Sequence, residues 1–138
     1  MKESVKRYLE SAGYAVDDVG TWSEESVDYP DFAVEAARRV AGDQDDLGIL
    51  VCGTGIGMAI AANKVQGIRA AVACDPATAR LAREHNNANV LAVGGRVQSG
   101  ERAIEIVREF LSAEFAGGRH ERRVNKITQH DQEREPRK

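Results

Sequence analysis

The sequence has few of the residues that mark secreted, metal-binding or membrane proteins. Its two cysteines, Cys52 and Cys74, cannot make the disulfide framework of a secreted domain, and we expect both thiols to be reduced. The three histidines are scattered, so no metal-ligand spacing is present. No apolar run approaches the roughly 20 residues of a membrane helix, and the polar N-terminus, residues 1–4, is not signal-like. These absences predict a cytoplasmic protein that binds no metal and no membrane.

The charge balance gives little reason to expect a nucleic-acid partner. The net charge is −3, and 30% of the residues are charged. A hydrophobic share of 42% in 138 residues suits a single globular core. We therefore predict one domain over residues 1–127, which ends in a basic turn and a short helix from residue 117, and a charged, flexible tail over residues 128–138.

Apolar runs alternate with helical spacing along the chain. Three runs predict buried strands, at 47–52, 68–74 and 89–93. Helical spacing predicts helices at the N-terminus up to Gly13, from Pro30, at about 57–63, from Pro76 to about Asn86 and over about 103–111, with an extended segment at 14–19 and a turn-rich segment at 20–29. This alternation predicts an α/β fold with a parallel sheet covered on both faces.

The first apolar run ends at a cysteine in a glycine-rich loop. Cys52 is followed by Gly53, Thr54, Gly55 and, two residues later, Gly57. Ligands of open α/β sheets bind at the carboxyl ends of strands, and loop amides can hold a phosphate or a developing oxyanion. Cys52 is therefore either a base or nucleophile, or a small buried hydrophobe. Thr54 either presents its hydroxyl to a ligand or satisfies a turn amide.

Two further groups allow a functional and a structural interpretation. His85, beside Asn86, follows a predicted helix, where capping of the helix C-terminus is the favoured interpretation and a site role is the alternative. Arg119 and Arg123 are four residues apart, so they share one side of a helix and suit a phosphate clamp. The alternative for the arginines is a solvated helix face with salt bridges.

Taken together, the motifs resemble the family of ribose-5-phosphate isomerase B and the galactose-6-phosphate isomerase subunits. The resemblance extends from Lys2 to about Ile127. It rests on the motifs Glu24–Asp31, Cys52–Gly57, Ala61–Lys64, Thr78–Asn86, Gly95–Val97 and Phe115–His120. It implies a three-layer, Rossmann-like sandwich with a mostly parallel sheet, which has five strands in the family.

The resemblance also implies an activity and residue roles. The activity is a cofactor-free aldose–ketose isomerisation of a sugar phosphate through a cis-enediolate. Cys52 would take the C2 proton, and the amides of the glycine loop would stabilise the enediolate. Thr54 and His85 would act in ring opening and proton transfer, Asn86 would contact the enediolate, and Arg119 and Arg123 would bind the phosphate. The implied assembly is a homodimer with sites shared across the interface.

The sequence departs from this family at its start. Family members begin with a short apolar strand and an Asp-His-Ala-Gly turn, and the strand lies between the second and third strands of the sheet. This chain begins at the following helix. We therefore expect Met1 to be an internal methionine of a longer natural protein, and the 138-residue form to have weak or no isomerase activity. The preferred sugar is either ribose 5-phosphate or a six-carbon aldose phosphate such as galactose 6-phosphate or allose 6-phosphate. A non-catalytic sugar-phosphate-binding subunit is a further alternative.

Overall fold

Three parallel strands form the sheet in residues 1–20 and 28–134, the part of the chain that this computed structural model describes. The strands are β1 (Gly48–Cys52), β2 (Ala70–Val72) and β3 (Val90–Gly94), in the spatial order β1-β3-β2. β3 is central, and its register pairs Cys52 with Gly94 at the carboxyl edge of the sheet. Each of the three predicted apolar runs therefore contains an observed strand, although the second is confined to three residues.

Helices occupy the connections between the strands and flank them at both ends. They are α1 (Lys2–Ser11), α2 (Tyr29–Ala41), α3 (Ile56–Ala62), α4 (Pro76–Asn86), α5 (Gly100–Ser112) and α6 (Arg119–Gln132). Local sequence signals determine where several of these helices begin. Proline lies in the first turn of α2 and α4, where its missing N–H would have no helical partner. Asp75 caps α4 by accepting the Thr78 N–H at 2.7 Å, and Ser99 caps α5 through Arg102.

The helices bury the sheet on both faces. One apolar cluster joins α1, α4 and α5 to one face, with Leu91, Val93 and Phe110 fully buried in it. A second cluster joins α2 and α3 to the other face around Leu50 and Ala92. Successive side chains of β3 point to opposite faces of the sheet, so this strand contributes to both clusters. This confirms the α/β sandwich with a parallel sheet.

The outer edge of β1 borders a cleft of about 540 Å³. Across the cleft lies the extended segment 14–19, which forms no strand in the described part of the chain. The Gly48 N–H points to β3, where it donates to Asn89 O. Strand alternation therefore turns the Ile49 and Val51 N–H groups toward the cleft, where neither has an acceptor among the described residues. The outer edge of β1 therefore has no strand partner among the described residues.

The C-terminal region differs from the expected flexible tail. The helix α6 continues through Gln132, so residues 128–132 are helical, and the Asp131 carboxylate accepts the Gly67 N–H at 2.6 Å. This long-range bond is invisible in the sequence pattern. Residues 135–138 of the predicted tail, and most of the turn-rich segment at 20–29, lie outside the described residues. No described helix is long and apolar enough to span a bilayer.

Candidate active site

Cys52 ends β1 at the carboxyl edge of the sheet, as predicted. Its side chain is half-buried, and the residue lines the cleft beside β1. The Gly55 N–H donates a hydrogen bond to Cys52 Sγ at 3.1 Å, so the sulfur faces the glycine loop. A thiolate at this position accepts that donor more strongly than a neutral thiol does. The sulfur is therefore presented at a cleft rather than sealed in the core.

The glycines give this loop a shape that other residues would not allow. Gly55 has φ +83°, and a Cβ there would lie 3.2 Å from the backbone of Val93. On the other side, a Cβ on Gly94 would lie 2.6 Å from the carbonyl carbon of Thr54. A Cβ on Gly57 would overlap the Tyr29 hydroxyl. The loop is thus fixed against the end of β3 and the first residue of α2.

The loop also offers hydrogen-bond donors. The Thr54 hydroxyl accepts the Ile56 N–H at 3.3 Å, so it satisfies the turn amide while its own proton can still be donated. The Gly53 and Thr54 N–H groups have no acceptor among the residues described. Two amides and one hydroxyl therefore remain for a ligand next to the sulfur, which suits a developing oxyanion.

Arg96 also lies at this edge of the sheet, and the sequence pattern does not predict a role for it. It follows β3, and its N–H donates to Gly53 O at 2.8 Å. Its guanidinium lies over the loop, since a Cβ on Gly53 would be 3.2 Å from Arg96 Nε. Its position directly after a predicted strand, in the Gly95–Val97 motif, was the available signal. The carboxyl edge thus carries a thiol, free amides and a cation.

His85 and Asn86 lie at the opposite edge of the sheet. The helix α4 leaves the carboxyl end of β2 and runs back, so its last turn ends beside the start of β3. Arg69, just before β2, donates to Asn87 O at 2.9 Å, which places this helix end at the amino edge. The helix is capped by Asn87 at φ 46°. The ring of His85 instead stacks on another imidazole, that of His120, with centroids 4.1 Å apart.

Arg119 and Arg123 both lie on α6, one turn apart, as the spacing predicts. Both are exposed, and neither has a carboxylate partner in the described ranges. His120 lies between the two arginines on α6 and stacks on His85, so these four residues form one cluster. Desolvation and electrostatic interactions with the other three residues lower the pKa of His120. The interpretation as a salt-bridged face is therefore not supported for these two arginines.

The predicted site residues thus form two groups within the chain. The first group, at the carboxyl edge, holds Cys52, Thr54 and the glycine loop, and the second, at the amino edge, holds His85, Asn86 and the two arginines. The five residues of β1 separate the edges by about 16 Å. Among the residues described, no cluster of three or more His, Cys, Asp or Glu side chains is placed to hold a metal ion.

Known proteins are similar to this chain in both sequence and fold. Residues 1–127 match the model of the family described as Ribose/Galactose Isomerase. Ribose-5-phosphate isomerase B of Escherichia coli is 49% identical over 134 residues, which cover 97% of this chain and 90% of that protein. The structure of ribose-5-phosphate isomerase B from Clostridium thermocellum is 50% identical, with a TM-score of 0.92 over 95% of this chain and 88% of that one. The enzyme of Mycoplasma genitalium, solved with bound ribulose-5-phosphate, is 44% identical, with a TM-score of 0.94 over 96% of this chain and 89% of that one. Since the family model covers residues 1–127 and these structures match nearly the whole chain, the chain belongs to the ribose/galactose isomerase family.

Proposed function

We propose that the chain is an aldose–ketose isomerase that interconverts ribose 5-phosphate and ribulose 5-phosphate. The observation that carries the proposal is the Cys52 sulfur, which lines a cleft beside free loop amides and Arg96. Relatives that are 44–50% identical are named ribose-5-phosphate isomerase B, and one of them was solved with ribulose-5-phosphate. The chemistry of this edge fits that reaction.

The proposed reaction needs one base and a stabilised anion. In the opened aldose, the carbonyl at C1 acidifies the C2 proton, which the Cys52 thiolate removes. The resulting cis-enediolate carries negative charge on oxygen, and the free N–H groups of Gly53 and Thr54 donate to it. The proton of the C2 hydroxyl passes to the C1 oxygen as the C2 carbonyl forms, and the proton on sulfur goes to C1, which gives the ketose. Every proton is conserved, and no redox partner takes part.

Deletion of each thiol in turn tests this function. Cys52→Ala should lower turnover of ribose 5-phosphate by at least about 10³-fold, since it removes the base. Cys74→Ala is the matched control, because Cys74 is exposed beyond β2 and its thiol has no proposed role. Turnover is measured with enzyme in excess so that weak activity is detectable. Retained turnover in Cys52→Ala, with unchanged thermal unfolding, would reject the base.

A six-carbon aldose phosphate is the second candidate substrate. The family description names galactose beside ribose. A longer sugar needs more room between the thiol and the phosphate-binding arginines, so kcat/KM for ribose 5-phosphate, galactose 6-phosphate and allose 6-phosphate separates the candidates. We expect the five-carbon substrate to be preferred. A higher kcat/KM for either six-carbon phosphate would reassign the substrate.

A non-catalytic binding subunit is the third candidate, and it is favoured by the cleft and the unpaired outer edge of β1. This candidate predicts that ribose 5-phosphate binds with the same affinity in Cys52→Ala and in the wild type, while neither turns it over. Calorimetric titration and turnover on the same samples distinguish a binding subunit from an enzyme.

We also propose a homodimer in which each site takes the carboxyl-edge group from one chain and the amino-edge group from its partner. The support is geometric, because the two groups lie at opposite edges of one sheet and neither alone holds both a base and a phosphate clamp. Ile56 and Ile60 form an exposed apolar pair on α3, next to the thiol loop, and α6 buries only Val124 among its residues. A two-fold dimer would cover such faces and complete both sites together.

Subunit mixing tests the sharing of sites. Cys52→Ala and Arg119→Ala chains are each purified, then unfolded and refolded together. A mixed dimer regains one intact site, so random pairing should restore up to about a quarter of wild-type turnover. If each chain holds its own complete site, mixing restores nothing. Refolding each variant alone is the control.

We infer a cytoplasmic location and a role in the pentose phosphate pathway for this activity. A thiolate base requires a compartment in which free cysteines stay reduced. Both cysteines are free in the structure. Fractionation of cells that express the tagged chain tests the location.

A further inference from the structure

The two stacked imidazoles join helices that are far apart in sequence. The rings of His85 and His120 are 4.1 Å apart at an interplanar angle of 12°. His85 lies in the last turn of α4, and His120 is the second residue of α6. The segment before α6 is attached to the same helix end, where the Ala116 N–H donates to Glu84 O at 2.9 Å. The stack is therefore part of a fixed junction between α4 and α6.

Stacking on His120 is the contact that orients the His85 ring. In residues 1–20 and 28–134, no hydrogen bond or ion pair reaches either nitrogen of this imidazole. Both nitrogens can therefore exchange protons with a ligand. A face-to-face neighbour restricts ring rotation without occupying the nitrogens.

We propose that His120 is a positioning residue that holds the His85 imidazole, by stacking, in the orientation needed to open the sugar ring. The proposal rests on the proposed function. In ring opening, a neutral His85 accepts the proton of the anomeric hydroxyl as the C1–O4 bond breaks. The electron pair of that bond goes to O4, and the imidazolium returns the proton to O4. The transfer needs the imidazole nitrogen within hydrogen-bond reach of both oxygens, so ring orientation limits its rate.

The charges around the stack support a neutral His120. Desolvation lowers the pKa of His120, and electrostatic interactions with the His85 imidazole on α4 and with the guanidinium groups of Arg119 and Arg123 on α6 lower it further. A neutral ring can stack on His85 without repelling it when His85 becomes protonated during the transfer. Any aromatic ring of similar size should therefore replace His120, whereas alanine should not.

Two substrates separate ring opening from proton transfer at carbon. Ribose 5-phosphate is mainly a closed furanose, whereas ribulose 5-phosphate stays acyclic because its C5 oxygen carries the phosphate. Turnover of ribose 5-phosphate therefore requires ring opening. Exchange of a C1 proton of ribulose 5-phosphate with D₂O requires only the enediolate step.

The experiment compares His120→Ala, His120→Phe and, as a matched control on the same helix, His130→Ala, since His130 is exposed. We expect His120→Ala to lower kcat for ribose 5-phosphate about tenfold, with KM and the exchange rate of ribulose 5-phosphate changed less than about twofold. We expect His120→Phe to restore most of kcat and His130→Ala to change nothing.

The outcomes separate the positioning role from the proposed function. Equal loss of turnover and exchange in His120→Ala, failure of His120→Phe to restore kcat, or unchanged kcat in His120→Ala would each overturn the positioning role while the wild type remains active. A rise in KM with unchanged kcat would assign His120 to phosphate binding instead. A wild type that catalyses neither reaction would reject the proposed function, and the positioning role with it.

Discussion

Substitution of Gly94 by alanine tests whether the backbone, and not the thiol alone, shapes the site. Gly94 ends β3 opposite Cys52, and its Cα faces the Thr54 backbone. A Cβ there would lie 2.6 Å from the Thr54 carbonyl carbon and 2.7 Å from its Cα and O. Carbon atoms pack at about 3.5–4.0 Å, so the loop has to move by roughly 1 Å. Since all three contacts are backbone atoms, no side chain can rotate away to relieve the overlap.

The expected cost is larger for activity than for stability. A displacement of about 1 Å at a reacting group lowers turnover by about 10²-fold, because Thr54 and the free amides move away from the substrate of Cys52. Overpacking of this kind costs about 1–3 kcal/mol of unfolding free energy, which lowers Tm by about 3–10 °C. The folded state should therefore survive with a misplaced loop.

The assay is turnover of ribose 5-phosphate, together with thermal unfolding by circular dichroism. Gly100→Ala is the matched control, because a Cβ at Gly100 meets nothing within 4 Å and the residue lies in α5. It should keep turnover and gain up to about 1 kcal/mol of stability. Wild-type kcat/KM in a folded Gly94→Ala would refute the dependence of catalysis on this loop position.

Three further predictions concern the fold. Phe110→Ala should cost about 3–5 kcal/mol by urea unfolding, because Phe110 is fully buried between α5 and the sheet; a loss below 1 kcal/mol would contradict that packing. Hydrogen exchange should be fast at the Ile49 and Val51 amides, which face the cleft, and slow at the amides of β3. Exchange at Ile49 and Val51 as slow as in β3 would mean that β1 has a partner on its outer edge. Burial raises the pKa of Asp18, but the hydrogen bonds from Lys2 and from the Gly20 N–H, together with the charges of Lys2 and Lys6, outweigh it, and the net pKa is lowered. Asp18→Asn should therefore lower the free energy of unfolding by about 1 kcal/mol or less near pH 7. This difference should vanish as the pH falls through the folded-state pKa of Asp18. A constant difference down to pH 2 would contradict the ion pair.

Local signals explain why much of the fold was predictable. The apolar run before Cys52 and the proline at the start of α4 each fix an element by contacts or dihedral preferences within a few residues. The same holds for the glycine loop, because the positive φ at position 55 favours glycine whatever surrounds it.

The features that the sequence did not reveal depend on residues far apart in the chain. The stack of His85 on His120 and the contact of Arg96 with Gly53 form only when the sheet and helices are in place. The bond from the Gly67 N–H to Asp131 likewise spans 64 residues, so the composition of the C-terminus suggested a flexible tail where α6 continues. The site is divided between two edges because α4 runs back from the carboxyl edge of the sheet to the amino edge. The alternation of strands and helices predicts this direction, but the motifs alone do not show it.

The most direct test of the account is exchange of the C2 proton of ribose 5-phosphate with D₂O, followed by proton NMR with enzyme near the substrate concentration. We predict slow exchange, above the buffer rate, with the 138-residue chain and with Cys74→Ala, and none above the buffer rate with Cys52→Ala. Exchange at the wild-type rate in Cys52→Ala, or no exchange in the unsubstituted chain, would contradict the claim that the Cys52 sulfur takes this proton.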